Sequence, residues 1–285
     1  MIHQVELPTG VRLEYTEQGD PDGVPVLLLH GGTDSRTSWD PVLPHLPDSV
    51  RAIAVSQRGH GESARPRDAG YRHEDMAADA AALIEALTLG PAIVVGHSMG
   101  AYVAERVAID RPDLVLGTVL EGAIGPGSEN PVLVEVRNEV AGLADPIDPE
   151  FAREFQLGTT ERALPPGLLD AFAAESLKLP AWLWLEVFDG LLEIDMTAEL
   201  GSVQSPVLLV WGDRDAFDTR AEQEWLLETL ADARLVVYEG TGHAVHWEEP
   251  ERFAADLADF ALAQGRSRTM SSSETSGLSK RALTA

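Results

Sequence analysis

Cysteine is absent from the 285-residue chain, which excludes disulfides, thiolate metal sites and a cysteine nucleophile. Lysine is nearly absent: Lys178 and Lys280 are the two present, so almost all of the 21 basic residues are arginines. Positive charge as a whole is scarce against 47 acidic residues, and the net charge is −26. The shortage is uneven. From residue 265 on, Arg266, Arg268, Lys280 and Arg281 against Glu274 give +3, and −26 less +3 leaves −29 on the preceding body. A body that acidic repels phosphate backbones and anionic lipid surfaces, so neither nucleic acid nor a membrane is expected as a partner. Long hydrophobic runs are missing too. The longest, Val24–Leu29, is far short of the roughly 20 residues a membrane-spanning helix needs. Met1–Gly10 has neither a basic stretch nor an apolar one, so no secretory signal is expected and the cytoplasm is the default compartment.

What remains is ordinary globular material, 44% apolar and 24% charged, enough for one large domain or a core with an insert. Apolar runs of strand length recur at Val24–Leu29, Ala52–Val55, Ala92–Val95, Leu114–Leu120, Val207–Val210 and Leu235–Tyr238. Near-continuous runs suit strands covered on both faces, hence a parallel sheet. Helical patterns lie between them, at Asp75–Leu87, Ser98–Ile109, Arg220–Leu230 and Pro250–Leu262. This alternation predicts an α/β fold with a mostly parallel central sheet flanked by helices. Val5–Leu7 and Val11–Thr16 read as an antiparallel pair turning at Pro8-Thr9-Gly10. The alternation breaks after Leu120, where about 85 residues lack a strand-like run. Asn130–Leu143, Pro149–Leu157, Pro166–Leu177 and Pro180–Leu192 read there as helices, several opened by proline. The expected organisation is a core of residues 1–123 and 205–264, a helical cap of 124–204, and a tail of 265–285. That tail is rich in Ser, Thr and Arg without apolar periodicity, and is expected to be disordered.

The chemical signal is Gly96-His97-Ser98-Met99-Gly100, between the strand Ala92–Val95 and the helix that follows. A serine on a strand-to-helix turn needs glycines two before and two after, so that strand and helix can approach without Cβ clashes. Ser98 is the candidate nucleophile; the competing reading is a serine N-cap. Its hydroxyl needs a base, and the base needs an orienting acid. Gly242-His243 follows the strand Leu235–Tyr238, at the carboxyl end where open α/β sheets place their sites. His243 is the candidate base, with His246 next. His60 reads as structural, as does His97, which is also a candidate for lining the substrate site. Val207–Val210 runs into Trp211-Gly212-Asp213-Arg214-Asp215, so Asp215 is the candidate acid, with Asp213 next and Glu121 third. The oxyanion donors expected are the amides of Met99 and of Gly32, in the loop His30-Gly31-Gly32-Thr33. In the cap, Trp182, Trp184 and Phe188 are candidates for facing an apolar acyl or aromatic substrate; helix packing is their other reading.

Taken together, the order Ser98, Asp215, His243, the His30-Gly31-Gly32 loop and the turn Arg58-Gly59-His60-Gly61-Glu62-Ser63 resemble the α/β-hydrolase superfamily over roughly residues 10–264. Gly242-His243 with Glu248 and Pro250 is similar to that family's histidine loop, and the Gly-x-x-Asp spacing of Gly212 and Asp215 to its acid loop. The resemblance implies the cap after the sixth strand, no metal and no cofactor. The sequence departs from the family at Val55-Ser56-Gln57, where relatives commonly carry an aspartate. The expected activity is serine hydrolysis of a small carboxylic ester or lactone. A C–C bond hydrolase of the meta-cleavage type and a non-catalytic small-molecule-binding member of the fold are the alternatives. Homo-oligomerisation is left open.

Overall fold

Short apolar runs rich in β-branched residues extend into strands, and the computed structural model, which describes residues 1–67, 70–123, 125–127 and 130–281, joins eight of them into one sheet. They are β1 (Ile2–Glu6), β2 (Arg12–Gln18), β3 (Val24–Leu29), β4 (Val50–Ser56), β5 (Ala92–His97), β6 (Val115–Glu121), β7 (Val207–Gly212) and β8 (Ala233–Tyr238). Their order across the sheet is β1-β2-β4-β3-β5-β6-β7-β8. The β1–β2 and β2–β4 pairs are antiparallel, and every other pair is parallel.

Along β3 the pleat sends Leu27 and Leu29 into one layer of core and Val26 and Leu28 into the other. The first layer is covered by α1 (His73–Ala86) and α2 (Met99–Asp110), the second by α9 (Pro250–Arg281). α7 (Arg220–Thr229) links β7 to β8, and α8 (Val245–Glu248) precedes α9. The chain goes from β3 to β4 on one side and then to β5 on the other. The loops leaving β3 and β5 therefore part in opposite directions and open a crevice at the carboxyl ends of the strands.

Between β6 and β7 the chain forms the cap: α3 (Pro131–Val140), α4 (Pro149–Leu157), α5 (Leu168–Ser176) and α6 (Ala181–Leu192). Asn130 and Asp148 cap the first two through side-chain oxygens, each followed by proline at the first turn. α3 packs on α6 and α4 on α5.

α9 runs from Pro250 to Arg281, through residues expected to form part of a disordered tail, and residues 282–285 lie outside the described residues. No helix among the described residues is long and apolar enough to cross a membrane.

Candidate active site

Glycine spacing makes the sharp turn after β5 possible. A Cβ at Gly96 would stand 2.0 Å from the Gly100 carbonyl oxygen, and one at Gly100 would stand 2.3 Å from that of Leu29. Between them Ser98 adopts φ +52°, a conformation rare for a non-glycine residue. It is fixed by its own N–H, which donates to the Glu121 carbonyl at the end of β6 (2.9 Å). The side chain lines a narrow cleft between sheet and cap, and α2 begins at the next residue, Met99.

His243 lines the same cleft with its ring almost fully buried. Nδ1–H donates to Asp215 Oδ2 at 2.7 Å, and Nε2 has no hydrogen-bond partner among the described residues. Asp215 is itself held: its other oxygen accepts the Phe217 amide (2.7 Å) and the Asp218 amide (3.4 Å). Burial alone would lower the imidazole pKa. The Asp215 charge and hydrogen bond outweigh it, and the net is above the ordinary 6.5. Burial likewise pushes the Asp215 carboxyl up, but the His243 charge and the bonds to its oxygens bring it below the usual carboxylate value. The Phe217 ring packs on the imidazole, centroids 4.5 Å apart. Gly122 makes room for that ring: a Cβ there would lie 2.6 Å from His243 Cε1.

Asp213, the alternative acid, accepts the Gly240 amide (2.6 Å) instead. Glu121 is bonded to His246, through its backbone N–H (2.9 Å) and Nδ1 (2.8 Å). Nε2 of His246 meets the Ser38 hydroxyl at 2.9 Å, so both of its ring nitrogens are engaged inside the core. Burial drives His246 well below the ordinary imidazole value and Glu121 up to about 7. His97 completes this buried group. Burial lowers it to about 3, and its neutral ring donates from Nε2 to the His243 carbonyl (3.2 Å). His97, Glu121 and His246 stand close enough to share a cation, as do Asp215, Asp218 and His243. His246 and Asp215 have both of their polar side-chain atoms in hydrogen bonds, while His97 Nδ1, Glu121 Oε2, Asp218 Oδ1 and His243 Nε2 have no partner among the described residues.

The loop after β3 faces Ser98 across the crevice. His30 anchors it: Nδ1–H donates to the Gly31 carbonyl (2.8 Å) and Nε2 accepts the Gln57 amide (3.0 Å). Gln57 Nε2 returns to the His30 carbonyl (2.8 Å). Gln57, the last residue of the segment that departs from the family pattern, thus stitches the end of β4 to this loop. Gly31–Asp34 form a turn closed by the Asp34 amide on the Gly31 carbonyl (3.4 Å), with Thr33 at φ +66°. A β-branched residue there costs on the order of 1 to 3 kcal/mol and persists only where surroundings hold it. Gly32 lines the cleft.

Phe188 and His97 line the cleft as well, and Trp182 and Trp184 are not among its described lining residues. The lining side of α6 runs through Phe188 and Leu191, toward its end. Trp184, a turn earlier, is fully buried against Phe151 and Phe155 and donates to the Ser176 carbonyl (3.2 Å). Trp182 points away, edge-on to Tyr71 and under Arg67. Asp34, Leu133, Phe155, Gln156, Thr159, Phe217 and Trp247 line the cleft unforeseen. Single residues on separate elements leave no local pattern; the Asp34 position beside the glycine pair was the one readable hint. Among the described lining residues there is no lysine or arginine.

Residues 26–256 match the family model described as "Alpha/beta hydrolase family". The chain is 33% identical over 266 residues to a non-heme chloroperoxidase from Streptomyces lividans, an alignment covering 88% of this chain and 96% of that one. It is 29% identical over 271 residues to a 2-hydroxymuconate semialdehyde hydrolase from a Pseudomonas species, covering 89% and 92%. Among solved structures, a thermophilic esterase from Thermogutta terrifontis superposes with a TM-score of 0.79 at 27% identity, covering 93% of this chain and 99% of that one.

Proposed function

The chain belongs to the alpha/beta hydrolase family, and from that premise we propose that it is a serine hydrolase cleaving a small, uncharged carboxylic ester or lactone with an apolar acyl or aromatic part. The observation that carries this reading is His243, bonded through Nδ1 to buried Asp215 and lining, with a free Nε2, the cleft that Ser98 lines. Ser98 Oγ attacks the carbonyl as His243 takes its proton. Asp215 fixes the tautomer and stabilises the imidazolium. The amides of Gly32 and Met99 receive the oxyanion, where preorganised donors at a helix start act in a site that excludes water. His243 protonates the leaving alcohol, and water activated by the same ring releases the acid.

Leu133, Phe155, Phe188 and Leu191 suit an apolar substrate portion. A lining without a cation supports an uncharged ester over a vinylogous diketone that carries a carboxylate, because an unpaired carboxylate in such a cleft is costly. A fluorophosphonate probe tests the nucleophile, and a panel of short- and medium-chain nitrophenyl esters with lactones tests the substrate class. Labelling that Ser98→Ala abolishes, with ester turnover, is the expected result. An unlabelled protein that turns over no ester would sink the reading in favour of a non-catalytic binding protein.

A further inference from the structure

The cap meets the oxyanion loop through two polar side chains, Ser176 on α5, whose Oγ lies 3.3 Å from Thr33 Oγ1, and Gln156. Gln156, on α4, is almost fully buried. Its Nε2 lies 2.7 Å from Ser176 Oγ, 2.8 Å from Asp34 Oδ1 and 3.4 Å from Thr33 Oγ1. The donor directions are consistent around this group. Ser176 gives its own proton to the Phe172 carbonyl (3.2 Å), so its oxygen accepts from Gln156. The two amide protons of Gln156 are then spent on its two nearest acceptors, Ser176 on the cap and Asp34 on the loop. Thr33 and Asp34 are the last two residues of the turn that contains Gly32, and Thr33 sits in the left-handed region without being glycine. A turn in that state relaxes unless outside contacts hold it. Asp34 has no lysine or arginine partner, and burial pushes its carboxyl up to about 7 against the bond from Gln156, the His243 charge, the Gly31 amide and Ser38.

We propose that Gln156 is a positioning residue for the oxyanion hole: from the cap it holds Asp34 and Thr33, and with them the turn that aims the Gly32 amide. The inference rests on the serine-hydrolase reading above. It gives the cap a task in the chemical step, separate from enclosing the substrate. Gln156 lines the cleft, but both of its amide protons are taken by Ser176 and Asp34, so its loss displaces a donor without removing one. Removing an oxyanion donor outright costs roughly 10²–10³ in kcat, and displacement should cost a part of that.

The test compares the full-length protein with Gln156→Met, of similar size and without donors, on a nitrophenyl ester. A trifluoromethyl ketone, whose adduct places an oxyanion in the hole, is the second probe. In Gln156→Met, kcat should fall about tenfold to a hundredfold, KM should stay within about threefold, and the ketone should bind more weakly by about the same factor as kcat. A kcat within about threefold of wild type, or a loss carried by KM alone, would overturn the proposal. Should Gln156→Met not fold, the isosteric Asp34→Asn tests the other end of the same contact and should show the same split between kcat and KM. Where both fold, the double variant should fall no further than the weaker single one; additive losses would refute a shared role. Fluorophosphonate labelling of Ser98 separates the two failures. A labelled wild type with an unaffected Gln156→Met ends the positioning role alone, whereas an unlabelled, inactive wild type takes both readings down together.

Discussion

His243, in the loop after β8, and His246, three residues on in α8, each give their Nδ1–H to a buried carboxyl group: Asp215 at 2.7 Å, Glu121 at 2.8 Å. At Nε2 they part: His246 meets a serine, Ser38, at 2.9 Å, whereas His243 has no hydrogen-bond partner there among the described residues. The surroundings differ too. Asp215 collects two further backbone N–H bonds at the end of β7 and stays ionised, and its charge lifts His243. Glu121 sits in the core with one oxygen unpartnered, and burial raises its pKa to about 7. With no persistent anion beside it, His246 stays neutral and sealed, packed under Trp39 with ring centroids 4.3 Å apart. Under the proposed function the histidine–carboxylate pair that opens on the cleft is the proton relay, and the sealed pair is an internal brace. Reactivity in a Ser–His–acid set depends on hydration and access as much as on the three residue types.

The largest effects should fall on the open pair. Ser98→Ala and His243→Ala should each lose several orders of magnitude in ester hydrolysis, whereas His246→Ala should keep much more of kcat and lower the melting temperature instead. An inactive but normally stable His246→Ala would reverse the assignment of the two rings. Next comes the acid. Asp215→Asn should reduce kcat by about 10⁴ with a near-normal melting temperature. It should also move the acidic limb of the pH–rate profile downward, since the charge that lifts His243 is gone and burial still lowers it. In wild type that limb should lie above 6.5, the ordinary imidazole value, because His243 must be neutral to act as base. A limb at or below 6.5 in wild type would show that Asp215 is not charged beside it.

A smaller effect distinguishes the sealed pair by pH. Glu121 keeps its proton up to about 7 when folded, and an unfolded chain releases it near 4.5. The folded state thus binds the extra proton, and the Glu121 contribution to stability falls as pH rises through that window. Relative to wild type, Glu121→Gln, which cannot ionise, should be less destabilised at pH 8 than at pH 5. Equal penalties in denaturant titrations at the two pH values would contradict a proton held by burial. The smallest effect is expected at Asp213, whose carboxylate binds the Gly240 amide and no imidazole. Asp213→Asn should retain turnover and lose about 1 kcal/mol of stability; a kinetic collapse there would break the division between the two aspartates.

Much of this was determined along the chain. The strands of β3 to β8 are legible as apolar runs, since a strand buried on both faces needs apolar side chains at successive positions. The elbow is legible because Gly96 and Gly100 flank the serine at fixed spacing, and the cap because four helices, two of them opened by an Asx cap and proline, interrupt the alternation. These constraints act over short separations and leave their mark in adjacent residues. Tertiary structure alone decided what depends on arrivals from elsewhere. Glu121 reaches His246 from 125 residues away, Gln156 reaches Asp34 from 122, and the turn of α6 buries Trp184 while admitting Phe188 to the cleft. The sequence ranked His243 ahead of His246 as the base because it follows the end of the strand Leu235–Tyr238. Which one meets water and substrate followed from where the sheet ends and the cap closes, because burial sets both the pKa and the access of each ring.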